Sequence, residues 1–458
     1  DKNFMKFSKE EVKSSLKNSS FNKVKLAIVD IDGVLRGKVV SLDKFFSILD
    51  GGMGFCAVVF GWDVEDKSYD NVSVTGWHTG YPDFQAEIDP STFRKIPWED
   101  DLPFFLADFS NDKENGALVC PRTLLKNIQQ QTFEAGFFPQ FSQEFEWFNF
   151  ESTPEGYGSG SCENTKPLTP GMFGYSILRS SLKSEFFNDL FDLCHQFDIP
   201  LEGLHTETGP GVYEAAIQYS DILLAADRAA LFKSSVKEIA YKHGIMATFM
   251  AKWSEELPGN GGHVHQSIWD KDLKNNLFYD ANGKWSMSTL MQQYIAGQLH
   301  CLPHILPMFA PTINSYKRLV EGAWAPTTLT WARDNRTTAL RVLSGGAKST
   351  RLETRVIGSD VNPYLAMSAC LASGLYGIKH KLELDKPATI GNGYEDYTNG
   401  SIPTSLKEAT EAMKNSAIAK SLFGEDFVDH FCKTREWECR EFASKVTDWE
   451  RKRYFEII

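Results

Sequence analysis

Four short stretches of this chain carry acid, histidine and arginine in a pattern that only a shared cavity can accommodate. They are QEFEW (Glu144, Glu146), HTETGPGVYE (Glu207, Glu214), GGHVHQS (His263, His265, Ser267) and STRLETR (Arg351, Glu353, Arg355). Glu144/Glu146, His263/His265 and Arg351/Glu353/Arg355 each step by two residues. Successive side chains of a strand alternate between faces, so each set projects from one side of a sheet. Glu144 and Glu146 lie within FPQFSQEFEWFNF, among so many aromatics that at least one face is expected to be buried. Five carboxylates facing one cavity repel one another strongly unless cations neutralise them. Oxygen-rich ligation with an imidazole or two suits Mg²⁺ or Mn²⁺ rather than a thiolate-seeking metal. The pattern predicts a metal-assisted phosphoryl-transfer site.

The rest of the chain narrows the setting. At 458 residues, with 42% hydrophobic and 24% charged residues, two domains of an ordinary globular protein are expected. A net charge of −12 argues against nucleic acid as a partner, although a nucleotide needs only a local arginine cluster. Eight cysteines are scattered with no metal-like spacing, which suits a reducing compartment. No apolar run is long enough for a bilayer and the start is polar, so no membrane partner and a cytoplasmic location are expected.

Residues 1–20 read as a polar helical lead-in. A strand-rich domain follows over 21–107, with two strands around the Asp32-Gly33 turn, a third at FCAVVFGWD (55–63) and a last one near LPFFLADF (102–109). The catalytic domain takes 108–458, with helical periodicity over 182–197, 216–244 and 362–380 and Gly244 as a C-cap. The Gly/Ser/Pro-rich run 151–171 between the motifs is read as a long loop, a candidate mobile segment. VDIDGVL (29–35) mimics the opening of a dehalogenase-type phosphatase, with Asp30 as nucleophile and Asp32 as acid/base. A hairpin turn that wants Asp-Gly explains the same residues. SGGAKST (344–350) lacks the glycine spacing of a phosphate loop and reads as a surface turn. For Glu214 the bland alternative is an acidic helix N-terminus.

Together with NSYKRLV (314–320), RDNRTTALRV (333–342) and NPYLAMSA (362–369), the four motifs resemble the glutamine synthetase superfamily from about residue 24 to the C-terminus. The resemblance implies an α+β fold: a β-grasp-like N-terminal domain and a catalytic domain whose curved antiparallel sheet is flanked by helices. It implies that Glu146, Glu207 and Glu214 hold one divalent cation and Glu144, His263 and Glu353 another. His265 and Ser267 match residues lining the adenine and ribose end of ATP, while Arg341 and Arg351 match those on its phosphates. Arg336 matches a group facing the phosphoryl in transit. Arg318 corresponds to the grip on the substrate α-carboxylate, with Arg355, Asn260 and Gly261 at the glutamate end. Family members form homo-oligomeric double rings of hexamers with active sites between subunits.

Two departures fall on the amine half. Ammonia-using members carry a flap glutamate where RLVEGAWAP has Trp324, and a DGSS motif where FGWDVEDKSYDN has Trp62 and Asp63. Tryptophan is no base, yet it offers a flat apolar or cation–π surface, and Asp63 remains available to bind an amine cation. The expected reaction is ATP-dependent joining of glutamate to an organic amine or polyamine through γ-glutamyl phosphate. The alternatives are an ordinary ammonia-using glutamine synthetase and a non-catalytic structural relative.

Overall fold

The computed structural model describes residues 7–158 and 164–458, so the stretch 159–163 of the expected mobile loop lies outside the described residues. The described part of that loop contains a short helix, Pro154–Gly158. A capped helix, Lys9–Lys17, leads into a six-stranded sheet built from β1 (Lys23–Val29), β2 (Leu35–Ser41), β3 (Met53–Cys56), β4 (Asp83–Ile88), β5 (Arg94–Ile96) and β6 (Leu102–Asp108). β1 alternates cleanly: Val24, Leu26 and Ile28 face a small core with Phe45 and Phe105, while Ala27 and Val29 join the larger core of the molecule. Each buried aliphatic side chain of this kind contributes about 1.5–3 kcal/mol.

The second sheet has nine strands. They are β7 (Phe138–Phe150), β8 (Leu201–Thr206), β9 (Val212–Ile217), β10 (Ser220–Asp221), β11 (Met246–Thr248), β12 (Val264–Trp269), β13 (Trp331–Arg333), β14 (Leu340–Leu343) and β15 (Arg351–Thr354). Its main path runs β13-β14-β15-β12-β7-β9-β8, with β10 and β11 also paired to β7. The mixed α+β class holds. The sheet is antiparallel except at β13–β14, which pair in parallel. β7 is the spine. Phe141, Phe145 and Trp147 on one face are buried, with Phe145 and Trp147 packing on Phe232 of the helix Ile222–Lys242 at ring distances of 5.7 and 5.6 Å. That packing turns Ser142, Glu144 and Glu146 to the opposite face.

Several local expectations are corrected. FCAVVFGWD is a strand only to Cys56. It continues as a 3₁₀ turn, Ala57–Phe60, because Ala57, Val59 and Phe60 are all buried, which an alternating strand does not allow. The run 182–197 breaks at Lys183, whose ψ of 34° ends the helix Ile177–Leu182 before Ser184–Gln196 starts. The run 216–244 is helical only from Ile222, where Asp221 caps Leu224 N; its first residues finish β9. Glu214 therefore sits inside a strand and not at a helix N-terminus. Gly244 follows the last helical residues with φ +67°, as expected of a helix stop.

VDIDGVL is a hairpin turn. Asp30 Oδ1 accepts from the amides of Asp32 and Val34 at 2.9 Å each, and Gly33 takes φ +83° against Asn362, where a Cβ would lie 3.2 Å from that residue's Cα. The turn docks the small sheet on the large domain. Asn362 Nδ2 donates to the Asp30 and Ile31 carbonyls, and buried Arg435 donates to Asp32 Oδ1 at 2.7 Å.

Candidate active site

Strand register assembles the site as a row across the large sheet. Arg341 on β14 stands opposite Glu353 on β15, Glu353 opposite His265 on β12, and His265 opposite Ser142 on β7. On the other side of β7, Glu146 stands opposite Glu214 on β9, and Glu214 opposite His205 on β8. His263, just ahead of β12, is tied in by Glu144 N donating to its carbonyl at 3.0 Å. Residues as far apart in the chain as Ser142 and Glu353 thus share one face.

The row has two electrostatic halves. In the first, Glu353 is 1% exposed and receives Arg341 Nη1 and Arg355 Nη1 at 3.0 Å each. His263 Nδ1 lies 3.0 Å from Glu144 Oε1 and 3.2 Å from Glu353 Oε1. Burial alone raises the Glu353 carboxyl, but hydrogen bonding from His263 and the charges of His265, His263 and Arg355 hold it well below the carboxylate range. Burial likewise opposes ionisation of Glu144, and His265 and His263 overcome it to bring the group down to about 2.

In the second half the balance reverses. Burial and the charges of Glu207 and Glu144 push Glu146 up to about 7, against the pull of His263 and Arg318. Burial and four neighbouring carboxylates, Glu144, Glu146, Glu207 and Glu353, raise Glu214 well above its usual range. Like charges directly opposite on paired strands are destabilising. Among the described residues this half has carboxylates in excess of cationic partners, which is the condition a bound divalent cation relieves. The donor set therefore fits the expected metals, and ligand atoms of Glu144, His265 and Glu353, and of His205, Glu207 and Glu214, each gather within 4.8 Å.

That grouping differs from the expected one in two places. His265 turns Nε2 toward the carboxylates, 3.5 Å from Glu144 Oε1, and accepts from Arg351 Nε on Nδ1 at 3.0 Å, so it touches both the carboxylate row and Arg351. His205 was not singled out from the sequence, although it precedes Glu207 by the same step of two that marks the other pairs. Beside His265 a cavity of about 290 Å³ is lined by Ser142, Glu202, Tyr219, Ser267, Lys348 and Arg351. Lys348 and Ser349 bring the SGGAKST turn to its wall. It is a surface turn, as read, but one that faces this cavity.

The glutamate-end candidates lie close behind the row. A Cβ at Gly261 would stand 2.7 Å from both Glu146 Oε1 and His263 Nε2, so any side chain there would displace both groups. Asn260 is fully buried; its Nδ2 donates to Met250 O, and its Oδ1 has no partner among the described residues. Arg318 donates to the Val356 and Arg355 carbonyls and contacts His263 Nε2 at 3.4 Å. Arg355 reaches past Glu353 to donate to the Trp324 carbonyl at 3.3 Å, while the Trp324 indole is 62% exposed. Arg336 sits exposed on the turn after β13, close enough for its charge to act on Tyr175. Asp63 is not brought to the row. Its carboxylate accepts from the Glu65 and Lys67 amides and from Trp437 Nε1, and the residue is 5% exposed.

A sheet-borne row of carboxylates, imidazoles and arginines beside a cavity, with two groups able to hold a metal ion, is the candidate active site. The glutamine synthetase catalytic domain matches residues 118–454, and the chain belongs to the glutamine synthetase family. It is 53% identical over 438 residues to type-1 glutamine synthetase 2 of Dictyostelium discoideum, covering 95% of this chain and 84% of that protein. It is 34% identical to the glutamate–isopropylamine ligase of a Pseudomonas species, covering 98% of each. The solved GmaS/ADP complex superposes with a TM-score of 0.82 at 26% identity, covering 96% of this chain and 98% of that one. The protein is an ATP-dependent carbon–nitrogen ligase.

Proposed function

We propose that the enzyme joins glutamate to an organic amine in preference to ammonium. The observation that carries this reading is Trp324, an exposed indole whose main chain is held by Arg355 at the place where ammonia-using members resemble one another in carrying an acid. A γ-carboxylate oxygen of glutamate attacks the γ-phosphorus of ATP and ADP leaves. The amine nitrogen then attacks the acyl-phosphate carbon, phosphate leaves, and the protons shed by nitrogen pass to site carboxylates and solvent. Two Mg²⁺ or Mn²⁺ ions, one on Glu146, Glu207 and Glu214 and one on Glu144, His263 and Glu353, supply neutralisation of the phosphate charge.

The remaining roles belong to the chain. Arg336 at the open mouth offers a forked cation to the phosphoryl in transit. His265, Ser267, Lys348 and Arg351 line the cavity assigned to the nucleotide, with Arg341 holding Glu353 in place behind them. Arg318, Arg355, Asn260 and Gly261 form the glutamate end. The same reading includes a homo-oligomeric double ring with sites between subunits, which light scattering tests. ADP release with glutamate and a panel of primary amines tests the acceptor: the best amine is expected to exceed ammonium in kcat/KM by about tenfold or more. The second reading, ammonium as acceptor, is favoured by the name of the 53% identical relative, and ammonium winning across the panel establishes it.

A further inference from the structure

Asn260, Gly261 and Arg318 meet at a segment to which no role has been given, residues 357–361. Its backbone is laced to the Asn260 stretch: Gly262 N donates to the Ile357 carbonyl at 2.9 Å, and Ser359 N to the Asn260 carbonyl at 3.1 Å. Gly261 and Gly358 pair as an isolated antiparallel bridge. A Cβ placed on Gly358 would stand 2.7 Å from Asp360 Oδ1 and 3.7 Å from both Arg318 Cδ and the Asn260 carbonyl oxygen, so these three groups surround one point. On the other side, a Cβ on Gly259 would come 2.9 Å from Arg318 Cγ. The Arg318 stem therefore passes between two glycines.

Asp360 joins this junction to the chain that carries Arg318. Its Oδ2 accepts from Thr312 Oγ1 at 2.8 Å and from Ser315 Oγ at 2.6 Å. Thr312 and Ser315 close a turn on each other, each amide donating to the other's hydroxyl at 3.0 Å, and the turn leads into the short helix Ser315–Arg318. Lys233 Nζ fixes the next residue by donating to the Val361 carbonyl at 3.0 Å. Burial pushes the Arg318 guanidinium down to about 10, and the charges of Glu146 and Asp360 oppose that shift. Asp360 Oδ1 is buried with no hydrogen-bond partner among the described residues. A neutral amide oxygen could hold the two hydroxyls equally well, and a buried unpaired carboxylate oxygen is more costly than that turn requires. The charge is explained by the guanidinium beside it.

We propose that Asp360 is the positioning residue of the glutamate end: by holding the Thr312–Ser315 turn it sets the Arg318 guanidinium against Asn260 and Gly261 for the substrate's α-carboxylate. This rests on the assignment of Arg318 to that carboxylate in the reading above. A guanidinium fork grips a carboxylate bidentately only when its plane is fixed. The Val356 and Arg355 carbonyls orient the tip of Arg318, and Asp360 anchors the turn from which its helix starts.

The test measures ADP release by the Mn²⁺-loaded full chain against glutamate concentration, at saturating ATP and whichever acceptor the wild type uses best. Asp360→Ala is expected to raise KM for glutamate about tenfold or more, while kcat, KM for ATP and the acceptor, and Mn²⁺ affinity stay close to wild type. Asp360→Asn keeps an oxygen for the two hydroxyls without the charge and is expected to restore part of the loss. Adding Thr312→Val and Ser315→Ala to Asp360→Ala is expected to raise KM little further, because all three remove the same contact. Arg318→Ala is the control. If it raises KM for glutamate and Asp360→Ala does not, the inference fails while the assignment of Arg318 stands. If Arg318→Ala leaves KM for glutamate unchanged, that assignment falls and this inference with it. Parallel losses in KM for glutamate and ATP, or a fall in kcat alone, assign Asp360 a general structural role and overturn the proposal. Should Asp360→Ala fail to fold by circular dichroism, the Thr312→Val, Ser315→Ala double variant decides the same KM.

Discussion

Glu146 and Glu353 are both carboxylates of the row, yet their surroundings make opposite demands. Glu146 is pressed against Glu214 across β7 and β9, so removing its charge relieves repulsion. Glu146→Gln is expected to raise the melting temperature in EDTA while weakening Mn²⁺ binding, which scanning and titration calorimetry measure together. Glu353 is the common partner of Arg341, Arg355 and His263. Glu353→Ala leaves those groups buried without their anion and is expected to cost about 3–5 kcal/mol of stability in addition to the metal. A stable Glu353→Ala protein with unaltered Mn²⁺ stoichiometry overturns the two-metal assignment. In the proposed reading Trp324 lies on the acceptor side. Trp324→Glu restores an acid to the flap, and the amine-to-ammonium ratio of kcat/KM is expected to fall about tenfold.

β7 does two jobs through one alternation, and the face that carries no chemistry is as necessary as the one that does. Phe145 is buried between Phe232 and Phe249, with ring centroids at 5.7 and 6.0 Å. Phe145→Ala is expected to cost about 3–5 kcal/mol in urea unfolding and to weaken Mn²⁺ binding by loosening Glu144 and Glu146 on either side of it. The spacing of this strand was legible because a period of two survives in Glu144, Phe145, Glu146 and Trp147 without any tertiary knowledge. The run from Ala216 was not, since Ala-Ile suits a strand end as well as a helix start, and pairing with β7 and β8 decided it. His205 carried the same step as its neighbours but needed the β8–β9 register to show that it faces Glu214. Lys348 stood in a run whose glycine spacing does not make a phosphate loop, and only the folded chain brings it to the cavity wall. Asp63 accepts within its own chain from Trp437, 374 residues away in sequence, and the site it was assigned by resemblance is one shared with a neighbouring subunit.

The two sheets are joined by a charged clamp. Arg122 donates to Asp89 and Asp108, at the ends of β4 and β6 of the smaller sheet, and to Asp227 of the helix behind β7, at 2.8, 2.6 and 2.9 Å, and the Tyr364 hydroxyl also donates to Asp227. Burial works against ionised Asp108, and the charges of Arg122 and Lys126 with the Ser110 hydrogen bonds overcome it, bringing the carboxyl to about 2. A carboxyl depressed on folding stabilises above its unfolded pKa, near 3.9, and that contribution is lost as pH falls toward 2. Asp108→Asn is therefore expected to lie below the wild type in urea midpoint at pH 6, with about 2–3 kcal/mol of the gap closing between pH 4 and pH 2. The same separation of parts has a consequence in time. Glu144 and His263 are 119 residues apart. At synthesis rates of about 5–20 residues per second, β7 waits roughly 6–24 s on the ribosome before its partner β12 is made. During that wait its aromatic side can find the helix Ile222–Lys242 as soon as that helix emerges, while β9, made before the helix, already sets Glu214 opposite Glu146. The carboxylates therefore meet first, and His263, Arg341 and Arg355, which tie Glu144 and Glu353 in the other half of the row, arrive only with the later strands.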